Sequence, residues 1–263
     1  MNAAVSTANG DEAPAIRVEG LRTAFGAKVI HEALDLEVRR GEILGVVGGS
    51  GTGKSVLLNT ILGLKAPDAG RVEIFGQDIA HSQIEVQRRI GVMFQQGALF
   101  SFLSVLENVE APMIEHTRMT PAFIRDAARL KIVLAGLPPH AADLRPAELS
   151  GGMRKRAGVA RAIALDPDIL FLDEPTAGLD PIGAAEFDEL IRTLRDALGL
   201  TVFMITHDLD TLYAVCDRVA VIADRRIAAI APIEELERSD HPWIRDYFLG
   251  PRGRAAARQQ DGD

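Results

Sequence analysis

The stretch Gly48-Gly49-Ser50-Gly51-Thr52-Gly53-Lys54-Ser55 fits G-x-x-x-x-G-K-[ST], the pattern of a phosphate-binding loop. Before it, Glu42-Ile43-Leu44-Gly45-Val46-Val47 is a short apolar run of strand length. After it, Val56, Leu57, Thr60, Ile61 and Leu64 fall on one helical face. Anion binding needs a strand, a loop and a helix in that order. Glycine tolerates positive φ, so the loop can turn its backbone N–H groups inward and join the helix N-terminus as donors to a phosphate. Lys54 adds a point charge for the β- and γ-phosphates, and Ser55 a hydroxyl for magnesium. A glycine-rich turn matching by accident would require neither flanking element, so the context selects nucleotide binding.

Composition limits what can surround this loop. With 263 residues, 47% of them hydrophobic, the chain can bury a large core in one domain or in a domain with a subdomain. The 29 Lys and Arg against 37 Asp and Glu give a net charge of -8, which argues against nucleic acid as the main partner. One cysteine, Cys216, cannot form an internal disulfide and has no metal-ligand spacing around it. It reads as a small core residue, with the cytosol as compartment. Met1 to Pro14 has neither a basic nor an apolar signal region and reads as a flexible tail, as does Gly250 to Asp263. The most apolar runs, Ile169 to Leu172 and Val202 to Ile205, fall far short of the roughly 20 residues of a membrane span. Action at a membrane would therefore go through a partner.

Along the chain, Ile16 to Phe25, Leu34 to Val38 and Arg71 to Phe75 are β-rich and bounded by turn signals, which predicts an antiparallel layer beside the nucleotide. Ile90 to Phe94 is a buried-strand candidate that runs into Gln95-Gln96-Gly97-Ala98. From Ser104 to Leu137 the pattern turns helical, with Phe123, Ala127, Leu130 and Leu134 at helix spacing behind a Thr120-Pro121 start. A helical subdomain over about residues 96–165 follows, inside a domain spanning 15–249. Within it Glu148-Leu149-Ser150-Gly151-Gly152-Met153 precedes a helix carrying Arg154, Lys155, Arg156 and Arg161. Two readings stand here: a second anion site at Ser150, Gly151 and Gly152, or a capped helix start with a solvated basic face.

Asp168 to Glu174 is a continuous apolar strand ending in two carboxylates, of which one can hold magnesium through water while the other accepts a proton. Ala177-Gly178-Leu179-Asp180-Pro181 turns into a helix whose stripe of Phe187, Leu190, Ile191, Leu194 and Leu198 is core. Thr201 to Ile205 is another buried strand, and His207 follows it at a carboxyl end, where ligand crevices of α/β sheets lie. The other histidines, His31, His81, His116, His140 and His241, are assigned to the surface. Strands at Arg218 to Ala223 and Arg226 to Ile230 and short helices at Glu234 to Arg238 and Pro242 to Leu249 close the fold.

In this order, phosphate loop, strand-end Gln, Leu-Ser-Gly-Gly, Asp-Glu strand, Gly-Leu-Asp turn and strand-end His, the chain from Ile16 to Ile230 resembles the ATP-binding subunit of ABC transporters. The resemblance implies an α/β P-loop NTPase core sheet with an antiparallel β layer and an inserted helical subdomain, using ATP and Mg2+. It implies that Phe25 stacks on adenine, that Gly48 to Ser55 is the Walker A loop, and that Gln95 is the Q-loop glutamine. Asp173 is similar to the Walker B aspartate on Mg2+, Glu174 to the general base, His207 to the switch histidine at the γ-phosphate, and Ala177 to Asp180 to the D-loop. Ser150, Gly151 and Gly152 look like the signature, which in this family caps the ATP of a second subunit, so two copies packed head to tail enclose two ATPs. Met153 departs from the usual Gln and cannot complete a capping box.

Gln95 to Ser101, Glu107-Asn108-Val109, Glu115-His116-Thr117 and Met153 are similar to the Mla or Mce-linked lipid-transport ATPases of bacterial envelopes. That implies an integral membrane permease as partner, further lipid-transport subunits, and a place on the cytoplasmic face of the inner membrane. The runner-up is the subunit of an amino-acid or other small-solute importer. A soluble ATP switch on DNA or ribosomes would be expected to carry a coiled-coil insertion, duplicated halves or a basic face, and a small-molecule kinase would not need Leu149 to Gly152.

Overall fold

A computed structural model describes residues 13–81, 86–95 and 97–250. The expected tails lie outside these residues except for Ala13, Pro14 and Gly250, and so does Gln96. Two sheets form the frame. One is antiparallel, in the order β2-β1-β4-β5, built from β1 (Ile16–Phe25), β2 (Lys28–Val38), β4 (Ala69–Ile74) and β5 (Gln77–Asp78). The other has the order β10-β9-β3-β8-β7-β6, from β3 (Ile43–Gly48), β6 (Ile90–Met93), β7 (Ile169–Asp173), β8 (Thr201–Ile205), β9 (Arg218–Ala223) and β10 (Arg226–Ala231). Only β10 runs antiparallel to its neighbour there.

The parallel strands read as unbroken apolar runs because helices and sheet cover both faces. Their side chains still alternate between layers. In β7, Ile169 and Phe171 pack toward the antiparallel sheet, and Leu170 and Leu172 toward the helices on the opposite face. In β8, Phe203 and Ile205 join the first layer, and Val202 and Met204 the second. Phe171 and Phe203 are fully buried, with ring centroids 5.5 Å apart. Truncating either to alanine would cost about 3 to 5 kcal/mol.

Helix α1 (Lys54–Ile61) follows β3 and buries Leu57, Leu58, Thr60 and Ile61. It stops before Leu64, which is 64% exposed, so the apolar face expected there is one turn shorter. Between β6 and β7 lie α2 (Val105–His116), α3 (Pro121–Leu134), two 3-10 turns at Pro139–Asp143 and Pro146–Glu148, and α4 (Gly151–Ala162). Thr120 caps α3 through Phe123 N, with Pro121 in the first turn. The apolar repeat of α3 is split: Ala127 and Leu134 lean on the core, whereas Phe123 and Leu130 point out. The buried face is instead Ile124, Ala128, Lys131 and Ile132. Ser104 and Glu107 form a capping box on α2, and Asn108 bonds both the N–H and the C=O of Phe100.

Helix α5 (Pro181–Leu198) starts on an Asp180 cap and ends at Gly199 with φ 67. Helices α6 (Leu209–Val215), α7 (Ile233–Leu236) and α8 (Pro242–Phe248) complete the chain. Cys216 packs among apolar neighbours between α6 and the sheet, and burial pushes its thiol up.

Candidate active site

The strand order places the chemistry. β8 lies between β3 and β7, and the register sets Val46, Ile205 and Asp173 in one row. One or two residues beyond that row, at the carboxyl ends, the chain leaves as Gly48, Glu174 and Thr206-His207. Met93 pairs with Leu172, so β6 delivers Gln95 to the same edge.

The phosphate loop is held by its own backbone. Gly51 and Gly53 have φ of 80 and 99, and Gly53 is the N-cap of α1 with no side-chain cap, which leaves the helix N-terminus to the loop. Thr52 Oγ1 donates to Gly49 O at 2.9 Å, and Lys54 Nζ to Gly48 O at 2.7 Å and Gly49 O at 3.2 Å. A β-carbon at Gly48 would lie 2.7 Å from Ile222 O, so the strand end admits only glycine without a shift. Burial pulls the Lys54 ammonium down, and Glu174 and Asp173 oppose this. Burial, then Glu174, push the Asp173 carboxyl up against Lys155 and Lys54. Glu174 has φ 49, uncommon for a residue with a β-carbon, and its Oε2 is 2.7 Å from His207 Nδ1. In this pair the ring nitrogen is the donor whenever the carboxylate is ionised, since a carboxylate only accepts. Lys54, Asp173, Glu174 and His207 thus form one cluster. Ser55 is exposed on the first turn of α1, and Gln95 is exposed at the end of β6.

Phe25 is 58% exposed at the end of β1, with the Lys65 ammonium 5.0 Å from its ring centroid. Beyond it, Ala27 to Ile30 face Ser50, Gly51 and Thr52 across a cavity of about 390 Å³. Ser150 caps α4 by accepting from Met153 N at 3.2 Å. Among the described residues, no hydrogen bond or ion pair joins Ser150, Gly151 or Gly152 to the phosphate loop. The basic face of α4 is also not simply solvated. Arg161 donates to Ala98 O and Gly97 O, Arg156 pairs with Glu186, and Lys155 reaches Gln95 O and Glu174 O.

Three features escaped the sequence reading. His31, assigned to the surface, is fully buried: its Nδ1 is 2.8 Å from Thr23 Oγ1, and its Nε2 lies against Gly53. Burial lowers its pKa to about 4. His241 is half-buried rather than on the surface. Asp188, also buried, accepts from Thr211 Oγ1 at 3.0 Å, and Thr211 lies 3.3 Å from Thr176, which donates to Asp208. This row of hydroxyls and carboxylates ties α5 to the segments that follow β7 and β8.

The ABC transporter family profile matches residues 31–177. The chain belongs to the ABC transporter ATP-binding family. It is 41% identical over 239 residues to the intermembrane phospholipid transport system ATP-binding protein MlaF of Haemophilus influenzae, covering 89% of this chain and 90% of that one. It is 38% identical over 242 residues to the probable ribonucleotide transport ATP-binding protein mkl of Mycobacterium leprae, covering 90% of this chain and 70% of that one. The dimeric structure of a bacterial ABC transporter cassette superposes with a TM-score of 0.76 at 30% identity, covering 82% of this chain and 98% of that chain. This ABC subunit is an ATPase with the P-loop NTPase fold. No helix among its described residues is long and apolar enough to cross a membrane.

Proposed function

We propose that this ABC ATPase powers a transporter moving phospholipid or a related lipid in the bacterial envelope, as a head-to-tail dimer on the cytoplasmic face of the inner membrane, docked on an integral permease and alongside further lipid-transport subunits. The observation that carries the chemistry is the Glu174–His207 pair, at 2.7 Å, beside the phosphate loop. The kinship with MlaF supports the lipid cargo. Docking is supported by exposed apolar residues: seven of the twelve large ones among the described residues lie between Phe100 and Val133, in the helical insert.

In this reading Lys54 leaves its loop carbonyls for the β/γ-phosphates, and Gly48 to Ser55 cradle them. Phe25 stacks on adenine. Ser55, Asp173 and Gln95 offer hydroxyl, carboxylate and amide oxygens, a donor set suited to Mg2+ shared with phosphates. When bound, that ion neutralises charge on the γ-phosphate. Glu174 takes the proton of the attacking water, while His207 holds the carboxylate in place and reaches the γ-phosphate. Ser150, Gly151 and Gly152 close over the partner's nucleotide and exclude water.

Glu174→Gln should keep nucleotide affinity and lower turnover by about 100-fold or more. Turnover near wild type removes Glu174 as the base. The ribonucleotide name of the mycobacterial relative favours a polar cargo instead. ATPase activity of the purified complex in vesicles, with phospholipid against added nucleosides as stimulant, separates the two.

A further inference from the structure

Lys155 stands in the second turn of α4 and is 8% exposed. A buried ammonium is costly unless its hydrogens find partners. Its Nζ donates to Gln95 O at 2.5 Å and to Glu174 O at 2.9 Å, the backbone carbonyls at the ends of β6 and β7. Burial pulls the ammonium down, and Glu174 and Asp173 oppose this. The Glu174 peptide needs such a hold, because its φ of 49 is a conformation that residues with a β-carbon rarely keep unaided. Its N–H is fixed separately, on Ile205 O at 2.8 Å.

We propose that Lys155 is a positioning residue for hydrolysis, which makes the signature helix, the Gln95 segment and the Glu174 peptide one rigid unit. The consequence reaches past one site. In the head-to-tail dimer proposed above, on which this inference rests, Ser150 at the start of α4 serves the nucleotide on the partner's loop. Glu174 of the same chain serves the nucleotide on its own loop. Five residues along a helix, Lys155 therefore links closure over one ATP to the alignment of the base at the other. Arg154, Arg156 and Arg161 do not reach Glu174: their bonds go to Pro146, Leu149, Glu186, Gly97 and Ala98.

The test uses the full chain in its transporter complex, with Lys155→Met and Lys155→Arg beside wild type and Glu174→Gln. Nucleotide affinity, kcat, the Hill coefficient for ATP and the melting temperature are measured for each. Lys155→Met should bind ATP within about threefold of wild type, lose about 10- to 100-fold in kcat and show a Hill coefficient falling toward 1. Lys155→Arg, which keeps charge and donors, should recover most of both. A methionine variant with kcat and Hill coefficient near wild type overturns the proposal. So does a loss of kcat matched by an equal loss of affinity. If the methionine variant does not fold, Lys155→Gln takes its place; the order Lys, Arg, Gln in kcat at constant affinity is then expected, and any other order counts against the proposal. Failure of the general-base reading shows separately, as turnover in Glu174→Gln.

Discussion

The molecule has two glycine-bearing helix N-termini that look alike in sequence, at Gly53 before α1 and at Ser150 before α4. Both offer unpaired backbone donors to an anion. They differ in what surrounds them. A β-carbon at Gly53 would overlap Ile30 Cγ2 and lie 2.5 Å from His31 Nε2, whereas one at Gly151 meets nothing within 4 Å. The first N-terminus has a lysine folded over its own loop and a carboxylate cluster beside it. The second has only Ser150, which satisfies Met153 N, and faces solvent. The base of the first N-terminus is therefore packed against its own chain. The second is open, the form a surface takes when, as in the dimer proposed above, a second molecule covers it.

The largest effect that separates the two comes from Ser150→Arg. If Ser150 only caps α4, the change costs about 1 kcal/mol and leaves the ATPase activity of the folded protein. If α4 closes over a partner's nucleotide, binding survives and hydrolysis falls by about 100-fold or more. Mixed complexes decide. With Ser150→Arg in one subunit and Lys54→Ala in the other, both lesions fall on one composite site and the second site stays intact. With both changes in one subunit, both sites are damaged, so the first arrangement should be the more active. Equal activity of the two, with assembly verified, would place Ser150 outside any interface.

Stability tests the same contrast without a partner. Gly53→Ala forces a side chain into φ 99 and into the Ile30 and His31 side chains, and should cost about 3 kcal/mol or more. Gly151→Ala enters open space at the first helical position and should change stability by less than about 1 kcal/mol. Denaturant midpoints read both. Similar midpoints for the two variants would mean that the phosphate loop is no more tightly enclosed than the signature.

How much of this was legible depended on whether the signal was local. The parallel strands, the Thr120 and Ser150 caps, the turn at Asp180-Pro181 into a helix and the strand-end placement of Asp173, Glu174 and His207 follow from short patterns, and the structure shows them there. His31 was lost to a β-bulge. Counting back by twos from buried Leu34 gives Glu32 and Ile30 as inward positions, but Ala33 has φ 50 and the pairing shifts between Leu21↔Leu34 and Thr23↔His31. The extra residue reverses the alternation and turns His31 inward. Lys155 was invisible for another reason. It is one of three consecutive basic residues, and only the packing of α4 against β6 and β7 decides which of them is buried. The exposed half of the α3 stripe, Phe123 and Leu130, shows that apolar spacing predicts a helix better than it predicts which face the chain itself will cover.

The smallest effect concerns what stands behind the phosphate loop. His31 has its pKa lowered from 6.5 to about 4, so the folded protein holds it neutral where the unfolded chain would protonate it. Between those values the unfolded state binds more protons, and stability must fall as the pH drops. This contribution is complete above pH 6.5, is reduced by about 1 kcal/mol at pH 5.5, and levels off below about pH 4. His31→Asn can keep a bond to Thr23 but does not titrate. Other titrating groups act on both proteins equally, so the stability of wild type minus that of His31→Asn should shrink by about 1 kcal/mol between pH 7.5 and 5.5. Urea unfolding at the two pH values measures it. A difference that stays constant would show that the ring titrates in the fold as it does in the unfolded chain and is not held neutral beside Gly53; a difference that grows as the pH falls would show a cation there instead.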